Sequence, residues 1–233
     1  MKFTKMQGIG NDYVYVDCFK EQVKEPGKVS RFISDRHFGI GADGLILICP
    51  SGKADCRMEM YNADGSQGSM CGNGVRCVGK YAYDHGLVPA DRRTMTVETL
   101  GGIKTLELDV RDGKAVLITV DMGEGTLTSG LPEDIQVDGK DYRFVGIDVG
   151  NPHAVVFVED TDSFPVEQVG PLFENHPRFP ERTNVEFIQA VDLNVLKMRV
   201  WERGSGETMA CGTGATASAA AAMLAGYVKP EVQ

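Results

Sequence analysis

The amino-acid sequence predicts an α+β fold of two pseudo-symmetric domains, each a curved mixed sheet wrapped around a central helix. Two observations carry this prediction. Cys71 and Cys211 each stand at a Gly-rich turn between an extended segment and a helix-forming run, and they lie 140 positions apart. The same offset aligns Gly10-Asn11 with Gly150-Asn151 without a gap. Because a constant offset is typical of a repeated structural unit, we predict two copies of one domain, at residues 1–112 and 113–233.

The first half alternates strand and helix signals. Its predicted strands lie at 1–19, interrupted by a loop at two glycines, and at 45–49, 57–61, 94–99, 104–110 and 115–121; its predicted helices lie within 26–38 and at 75–85. Asp112-Gly113, between the last two strands, is a strong hairpin signal. Gly86 follows the second helix, as expected for a residue that ends a helix in the left-handed conformation.

The second half repeats this pattern with one difference. A strand is predicted at 197–201 and a helix at 215–227, which carries small or apolar residues on all sides. A helix without a polar face is expected to be buried all round. The counterparts of the strands at 94–121 would begin just after Gln233, so we expect the second half to be truncated, with its C-terminal strands missing.

Composition and charge narrow the class of protein. The chain has 233 residues, is 42% hydrophobic and carries a formal net charge of −9, which suits two modest cores and argues against a nucleic-acid partner. No apolar run approaches the roughly 18 residues that a membrane span needs, so no membrane association is expected. The six cysteines form no CxxC pair and no Cys/His spacing typical of a metal site. We therefore expect no metal, reduced thiols and a cytoplasmic location, with Cys18, Cys49, Cys56 and Cys77 as small buried residues.

The two thiols at the Gly-rich turns are candidate reactive groups. A cysteine at the start of a helix lies beside backbone N–H groups that have no partner within the helix, at the positive end of the helix dipole. Both thiols are therefore predicted to ionise more easily than a free cysteine, whose pKa is about 8.5. Equivalent loops of two domains could face each other across a cleft, with one thiol on either side of a bound molecule.

A third Gly-rich stretch, from Gly39 to Gly44, satisfies the pattern G-x-G-x-x-G. A dinucleotide site needs a strand before this pattern and a helix after it. Here a helical stretch precedes the pattern and the apolar run 45–48 follows it, so a nucleotide site is disfavoured. We predict instead a loop that lines the cleft, because its counterpart in the second half, 179–184, is equally turn-like.

Six motifs carry a resemblance to a known family. They are Gly8-Ile9-Gly10-Asn11-Asp12, Tyr61-Asn62-Ala63-Asp64-Gly65-Ser66, Cys71-Gly72-Asn73-Gly74, Gly150-Asn151-Pro152-His153, Glu181-Arg182-Thr183-Asn184-Val185, and Glu202-Arg203-Gly204-Ser205-Gly206-Glu207-Thr208 followed by Ala210-Cys211-Gly212-Thr213-Gly214. On the strength of these motifs the chain resembles the diaminopimelate epimerases, and the resemblance runs from Phe3 to about Tyr227. These are cofactor-independent enzymes with two domains of the predicted shape.

The resemblance implies an isomerase that converts LL-2,6-diaminopimelate to meso-diaminopimelate in lysine and peptidoglycan precursor biosynthesis, with no cofactor. It implies that Cys71 and Cys211 are the catalytic acid/base pair and that His153 and Glu202 modulate their pKa values. The residues that it implies for substrate binding are Asn11, Asn62, Gly72, Asn73, Asn151, Asn184, Glu202, Arg203, Gly212 and Thr213. The partner is then a small-molecule amino acid, and a homodimer is left open. Some family members carry a glutamine contact where this chain has Gly44, which leaves the distal end of the substrate open.

The chemistry explains why two thiols suit such a reaction. Inversion of a stereocentre by proton transfer needs a base on one face of the α-carbon and an acid on the other. Other functions stay open from the residues alone: a related PLP-independent amino-acid racemase, a non-catalytic amino-acid-binding protein, or a thiol–disulfide redox protein. From the residues alone, Glu202 and Arg203 could also form an exposed ion pair, and His153 could be a packed turn residue.

Overall fold

The computed structural model describes all 233 residues, which form two compact units, Met1–Asp121 and Met122–Gln233. Each unit is built on one mixed β-sheet with two helices. The predicted α+β class and the two mixed sheets are confirmed. No helix of the structure is both long and apolar enough to cross a membrane.

The first unit contains an eight-stranded sheet. Its strands are β1 (Thr4–Gly8), β2 (Asn11–Asp17), β3 (Gly44–Cys49), β4 (Cys56–Asn62), β5 (Gln67–Gly68), β6 (Thr94–Thr99), β7 (Gly102–Arg111) and β8 (Lys114–Val120), and its helices are α1 (Pro26–Ser34) and α2 (Gly72–Asp84). The strand order is β1-β2-β3-β4-β6-β7-β8, with β5 paired to β4. The β2/β3 and β4/β6 pairs are parallel, and the others are antiparallel.

The core of the first unit lies between α2 and the sheet. Val75, Val78 and Ala82 of α2 are fully buried in one cluster with Leu106 of β7 and Ala115 of β8. The helix forms here because its apolar residues recur at helical spacing and Gly86, with φ of 72°, lets the chain turn away after it. Strands β6 to β8 thus cover α2 in addition to β1 to β4.

The second unit contains a seven-stranded sheet. Its strands are β9 (Thr126–Leu127), β10 (Glu133–Val137), β11 (Lys140–Asp148), β12 (Pro152–Phe157), β13 (Asn184–Asp192), β14 (Val195–Glu202) and β15 (Gly206–Thr208), and its helices are α3 (Val166–Glu174) and α4 (Gly212–Leu224). The order is β10-β11-β12-β13-β14-β15, with β9 paired to β11. Only the β12/β13 pair is parallel.

The repeat predicted from the offset of 140 positions is visible in both helices of each unit. Helices α1 and α3 begin and end at positions 140 apart, and so do α2 and α4. Strand β3 begins at Gly44 and β13 at Asn184, which is again the same offset. The units differ at their sheet edges, because β6 to β8 have no counterpart in the second sheet and β9 and β10 have none in the first.

The division between the units differs from the predicted boundary at residues 112 and 113. That boundary falls in the turn between β7 and β8, where Asp112 and Gly113 both have positive φ as a tight hairpin turn requires. Strand β8 pairs with β7 from Arg111↔Lys114 to Leu106↔Val120, so it belongs to the first sheet. Because of this pairing, the first unit extends to Asp121.

Helix α4 is not buried all round, contrary to the sequence prediction. Ala217, Ala221 and Ala222 are fully buried against the second sheet, but Met223 and Leu224 are 41% and 46% exposed. The reason is the sheet edge: α2 is covered on a further side by β6 to β8, and the second sheet has no strands in those positions. Helix α4 therefore has small or apolar residues on all sides, but one of these sides is exposed to solvent.

Candidate active site

Both predicted catalytic thiols cap a helix. Cys71 and Cys211 have extended backbone, with φ and ψ of −133° and 117° and of −122° and 117°, and each is followed directly by the first residue of α2 or α4. In each, the sulfur accepts a hydrogen bond from the backbone N–H three residues later, at 3.3 Å from Gly74 and 3.3 Å from Gly214. This N–H is one of the groups that a helix start leaves without a partner. The predicted location of both thiols at helix N-termini therefore agrees with the geometry within each unit.

In the first unit, the Cys71 thiol contacts Asn11. The sulfur donates to the side-chain oxygen of Asn11 at 3.3 Å, and the side-chain nitrogen of Asn11 donates to Oδ2 of Asp43 at 2.8 Å. Asp43 also accepts from the backbone N–H of Asp12 at 3.0 Å and from Arg36 at 2.9 Å. Asn11 on β2 thus links Cys71 to Asp43 in the loop before β3, and Arg36 holds the Asp43 carboxylate in place.

The other predicted binding residues of the first unit lie on the adjoining turns. Asn62 ends β4 and donates from its side chain to Ser66 at 3.0 Å. Gly72 and Asn73 are the first two residues of α2 and are buried, and the side-chain oxygen of Asn73 accepts from Arg76 at 2.7 Å. The N-terminal N–H groups of α2 therefore lie directly beside Cys71.

In the second unit, Cys211 is surrounded by polar and ionisable side chains. It is 7% exposed, and its sulfur lies 3.2 Å from the hydroxyl of Thr213. The carboxylate of Glu202 lies within hydrogen-bonding reach of the thiol and accepts a short bond from Thr208 on β15. Predicted residues of β14 and α4 thus meet at this thiol.

A chain of hydrogen bonds extends from Thr213 into the core. The side-chain nitrogen of Asn151 lies 3.5 Å from the Thr213 hydroxyl, and Nε2 of His153 lies 3.1 Å from the side-chain oxygen of Asn151. Nδ1 of His153 lies 2.7 Å from Oε1 of Glu186, and both of these side chains are fully buried. His153 is therefore fixed at both ring nitrogens.

Asn184 and Arg203 stand on the backbone next to this network. The side-chain nitrogen of Asn184 donates to the carbonyl of Pro152 at 3.0 Å, and its side-chain oxygen accepts from the N–H of Arg203 at 2.9 Å. The Arg203 guanidinium donates to the carbonyl of Glu181 at 2.9 Å. The amide of Asn184 thus ties β12 to the turn after β14, and its predicted contact with substrate stays a prediction.

The prediction that Cys211 ionises more easily than a free thiol is wrong. Burial raises the pKa of Cys211 far above its ordinary value, and the negative charges of Glu202 and Glu186 raise it further. The Thr213 hydroxyl and the N–H of Gly214 act in the opposite direction but do not compensate. Burial also raises the pKa of Glu202. The helix N-terminus is present as predicted, but desolvation and two carboxylates outweigh it.

The G-x-G-x-x-G stretch forms the loop between α1 and β3. The order helix, loop, strand is the reverse of the dinucleotide-binding arrangement. Gly44 begins β3, and a methyl group built on it would come within 2.2 Å of the carbonyl oxygen of Tyr61 and 2.9 Å of the Tyr13 ring. The space that a side chain at position 44 would occupy is therefore filled by Tyr13 and by the backbone of β4.

Sequence reasoning missed three residues that contact the predicted set: Asp43, Glu186 and Thr208. Asp43 lies in the G-x-G-x-x-G loop, which the sequence predicts to line the cleft without marking Asp43 itself. Glu186 had a visible signal, because a carboxylate in the apolar run 185–188 demands a buried partner. Thr208 belongs to the motif that begins at Glu202, but nothing in the sequence marks it as a partner of Glu202.

The other four cysteines lie outside the candidate site. Cys49, Cys56 and Cys77 are buried, as predicted, whereas Cys18 is half-buried. No set of three His, Cys, Asp or Glu side chains has an arrangement that could hold a metal ion.

Comparison with known proteins supplies the context for these residues. The sequence model of the diaminopimelate epimerase family matches residues 3–128 and 145–232. The diaminopimelate epimerase of Methanococcus maripaludis is 53% identical over 239 residues, which cover 98% of this chain and 86% of the relative. That of Acetivibrio thermocellus is 53% identical over 237 residues, which cover 97% and 84%. Among solved structures, a probable proline racemase from Agrobacterium radiobacter superposes with a TM-score of 0.75 at 16% identity, over 97% of this chain and 78% of that one, and so shares the fold.

Proposed function

The chain belongs to the diaminopimelate epimerase family, and we propose that it converts LL-2,6-diaminopimelate to the meso isomer with Cys71 and Cys211 as the acid/base pair. It is an isomerase of the amino-acid epimerase type. One observation carries the assignment of the pair. Two cysteines at equivalent positions cap the two equivalent helices α2 and α4, and each has its sulfur on the N–H of the third helical residue.

The reaction needs one proton-transfer group for each face of the α-carbon. In the proposed cycle one cysteine acts as thiolate and removes the α-proton, and the other acts as thiol and delivers a proton to the opposite face. In the reverse direction the two roles exchange. The product therefore carries a solvent-derived proton at the inverted centre.

The main obstacle to proton removal is the weak acidity of the α-hydrogen. Helix N-termini can lower this barrier, because their N–H groups stabilise the negative charge that forms. Negative charge builds on the substrate carboxylate as the proton leaves, and preorganised N–H groups stabilise that charge without reorganisation. We propose that the N–H groups of Gly72, Asn73, Gly212 and Thr213 bind this carboxylate. They lie at the first two positions of α2 and α4, where the helix dipole adds to each hydrogen bond.

The polar residues around each thiol suit the remaining groups of an amino acid. We propose that Asn11, Asn62, Asn151, Asn184, Glu202 and Arg203 bind the substrate, and that Asn184 also supports Arg203 through the backbone bond described above. His153 and Glu202 then modulate the pKa of Cys211. The contacts of His153 with Asn151 and of Glu202 with the thiol support this role.

The remaining expectations follow the biosynthetic function of the relatives. We propose a cytoplasmic enzyme that acts on a small-molecule amino acid and needs no cofactor, metal or nucleic acid. A homodimer stays a prediction.

The test is a direct assay of stereochemistry. Purified, reduced chain incubated with LL-diaminopimelate in deuterated buffer is expected to form the meso isomer, with deuterium at the inverted α-carbon, as chiral chromatography and mass spectrometry would measure. A screen of other free amino acids in the same assay distinguishes a related racemase. Binding of diaminopimelate without inversion or deuterium uptake by reduced protein would leave only a binding function and refute the proposal.

A further inference from the structure

The environments of the two thiols differ in charge at equivalent positions. With the offset of 140, Tyr13 corresponds to His153, and Ile46 corresponds to Glu186. Around Cys71 these positions therefore carry a phenol and an aliphatic side chain, whereas around Cys211 they carry an imidazole and a carboxylate. The substitution of Ile46 by a glutamate in the second copy is the largest of these changes.

We propose that Glu186 is a positioning residue for the epimerase reaction: its buried carboxylate fixes the His153 ring against Asn151 and sets a negative charge beside Cys211, at a position where the first unit carries Ile46. This inference rests on the proposed function, because it concerns how that reaction divides its two roles between the thiols.

The packing beneath α4 shows how closely Glu186 approaches the helix start. A methyl group built on Gly214 would come within 2.5 Å of Oε1 of Glu186. In the first unit the equivalent methyl on Gly74 would come within 2.6 Å of Cδ1 of Ile46. Glu186 therefore occupies the position that an aliphatic side chain holds in the first unit, directly under the start of α4 that Cys211 caps.

Burial of this carboxylate costs stability, which argues for a role in the reaction. Glu186 is 0% exposed, Oε1 contacts Nδ1 of His153, and Oε2 has no hydrogen-bond partner in the protein. An unpartnered buried oxygen destabilises the folded chain, and an aliphatic residue of similar size would avoid that cost, as Ile46 does in the first unit. The bond to Nδ1 fixes which ring nitrogen of His153 faces Asn151.

The charge of Glu186 acts on the thiol together with its neighbours. The ionisable groups that act directly on Cys211 are Glu202 on β14 and Glu186 on β13, and α4 itself carries none. His153 on β12 contacts Glu186 and Asn151 behind them. After burial and Glu202, Glu186 is the next contribution that raises the pKa of Cys211. Removal of this charge alone should therefore make the Cys211 thiolate easier to form.

The decisive experiment measures thiol reactivity without substrate. Methyl methanethiosulfonate, a small neutral reagent, is applied over a pH series, and modification of Cys211 and of Cys71 is followed separately by peptide mass spectrometry. In Glu186→Gln, Cys211 is expected to react about threefold to tenfold faster than in wild type near neutral pH, since one unit of pKa is tenfold in thiolate fraction. Cys71 is expected to react at an unchanged rate and so serves as the control within each sample.

A second variant separates charge from packing. Glu186→Asp keeps the charge but shortens the side chain, so Cys211 should react at nearly the wild-type rate. Acceleration in Glu186→Asp equal to that in Glu186→Gln would attribute the effect to loosened packing and overturn the inference. An unchanged rate in Glu186→Gln would overturn it as well.

If Glu186→Gln does not fold, as circular dichroism would show, Gly214→Ala displaces the same carboxylate while keeping it in the chain. It is expected to lower kcat at least about tenfold more than its matched counterpart Gly74→Ala, whose methyl group meets the flexible ends of Ile46 and Met58 at 2.6 and 3.2 Å. Equal losses would contradict the proposed position of Glu186. Failure of the parent function is distinguishable, because a chain that shows the thiol-reactivity shift but never inverts diaminopimelate refutes the function and leaves the effect of Glu186 on Cys211 intact.

Discussion

The side-chain nitrogen of Asn11 donates to Oδ2 of Asp43 at 2.8 Å, and this bond decides which way the Asn11 amide points. With its nitrogen turned to Asp43, the amide presents its oxygen to Cys71, which donates to it at 3.3 Å. Asp43 is itself fixed by Arg36 and by the N–H of Asp12. A residue that lies outside the predicted site therefore orients a residue inside it.

Replacement of Asp43 by alanine is expected to lower kcat/KM for epimerisation about tenfold. The Asn11 amide loses a hydrogen bond to a charged acceptor, worth about 1.5 kcal/mol, and can turn its nitrogen toward Cys71. Steady-state kinetics measures this effect. The matched control is Asp109→Ala, which removes a partly exposed carboxylate paired with Arg111 on β7 and should leave kcat/KM unchanged. Equal kinetics of the two variants would show that Asp43 does not orient Asn11.

A side chain at position 44 is expected to destabilise the first unit. The methyl group of Gly44→Ala would meet the backbone oxygen of Tyr61 at 2.2 Å, so β3 or β4 must shift, at a cost of about 1–3 kcal/mol. Urea midpoints measure this. Gly52→Ala is the matched control, because nothing lies within 4 Å of its built methyl group, and its free energy of unfolding should change by less than about 0.5 kcal/mol. A Gly44→Ala midpoint equal to wild type would mean that the strands yield freely.

Much of the fold could be predicted from the sequence because it is locally encoded. The Asp112-Gly113 turn and the Gly-rich helix starts are short-range signals, and the offset of 140 residues shows that such signals recur in the second half. The structure confirms the elements at each of them. Strands β9 and β10 escaped prediction, because they lie outside the copied region and β9 has only two residues. The exposed side of α4 was not predicted for another reason. The apolar pattern shows which sides of a helix can be buried, but the neighbouring strands determine which sides are buried.

The electrostatics of the site could not be predicted from local sequence. Cys71 and Cys211 sit in nearly the same tetrapeptide turn, so local reasoning gave both thiols the same acidity. Glu186 and Glu202 reach Cys211 from two different strands of the second sheet, and their distance to the thiol depends on strand register, which the sequence alone did not supply. Desolvation has the same origin, because burial of Cys211 is a property of the assembled sheet and helix.

Stability at alkaline pH is expected to fall partly through Cys56. Burial raises its pKa to about 12 in the folded chain, against about 8.5 for an unfolded thiol. Below the unfolded value both states keep the proton, so the contribution to stability is fully present. Above it the unfolded chain releases the proton first, and the contribution is lost as pH rises toward about 12, at up to about 1.4 kcal/mol per pH unit.

Urea unfolding between about pH 8 and about pH 11 measures this slope. In Cys56→Ala the cavity lowers the free energy of unfolding at about pH 8, but this free energy should fall less steeply with pH than in wild type. Comparison of slopes cancels the other groups that titrate in this range, such as Cys18, whose pKa is also raised to about 12. Parallel slopes would show that Cys56 does not titrate differently in the two states.

The division of labour between the two thiols gives the sharpest prediction about the reaction. If each thiol serves one face of the α-carbon, Cys71→Ala and Cys211→Ala should both lose net inversion by at least about a thousandfold, because the carbanion lacks either its base or its proton donor. The thiol that remains can still act alone. It should exchange the α-proton of only that stereoisomer whose C–H bond points at it.

The two alanine variants should therefore wash deuterium into opposite stereoisomers, slowly and without inversion, as NMR of each purified isomer in deuterated buffer would measure. The family resemblance assigns Cys211 as the base toward the LL isomer, so Cys211→Ala is the variant expected to leave that isomer unlabelled. Cys77→Ala, which removes a buried thiol from the same helix as the Cys71 cap, is the control and should retain inversion. If both Cys71→Ala and Cys211→Ala label the same isomer, or if either still inverts at the wild-type rate, one thiol or another group does the work of both, and the two-thiol mechanism is wrong.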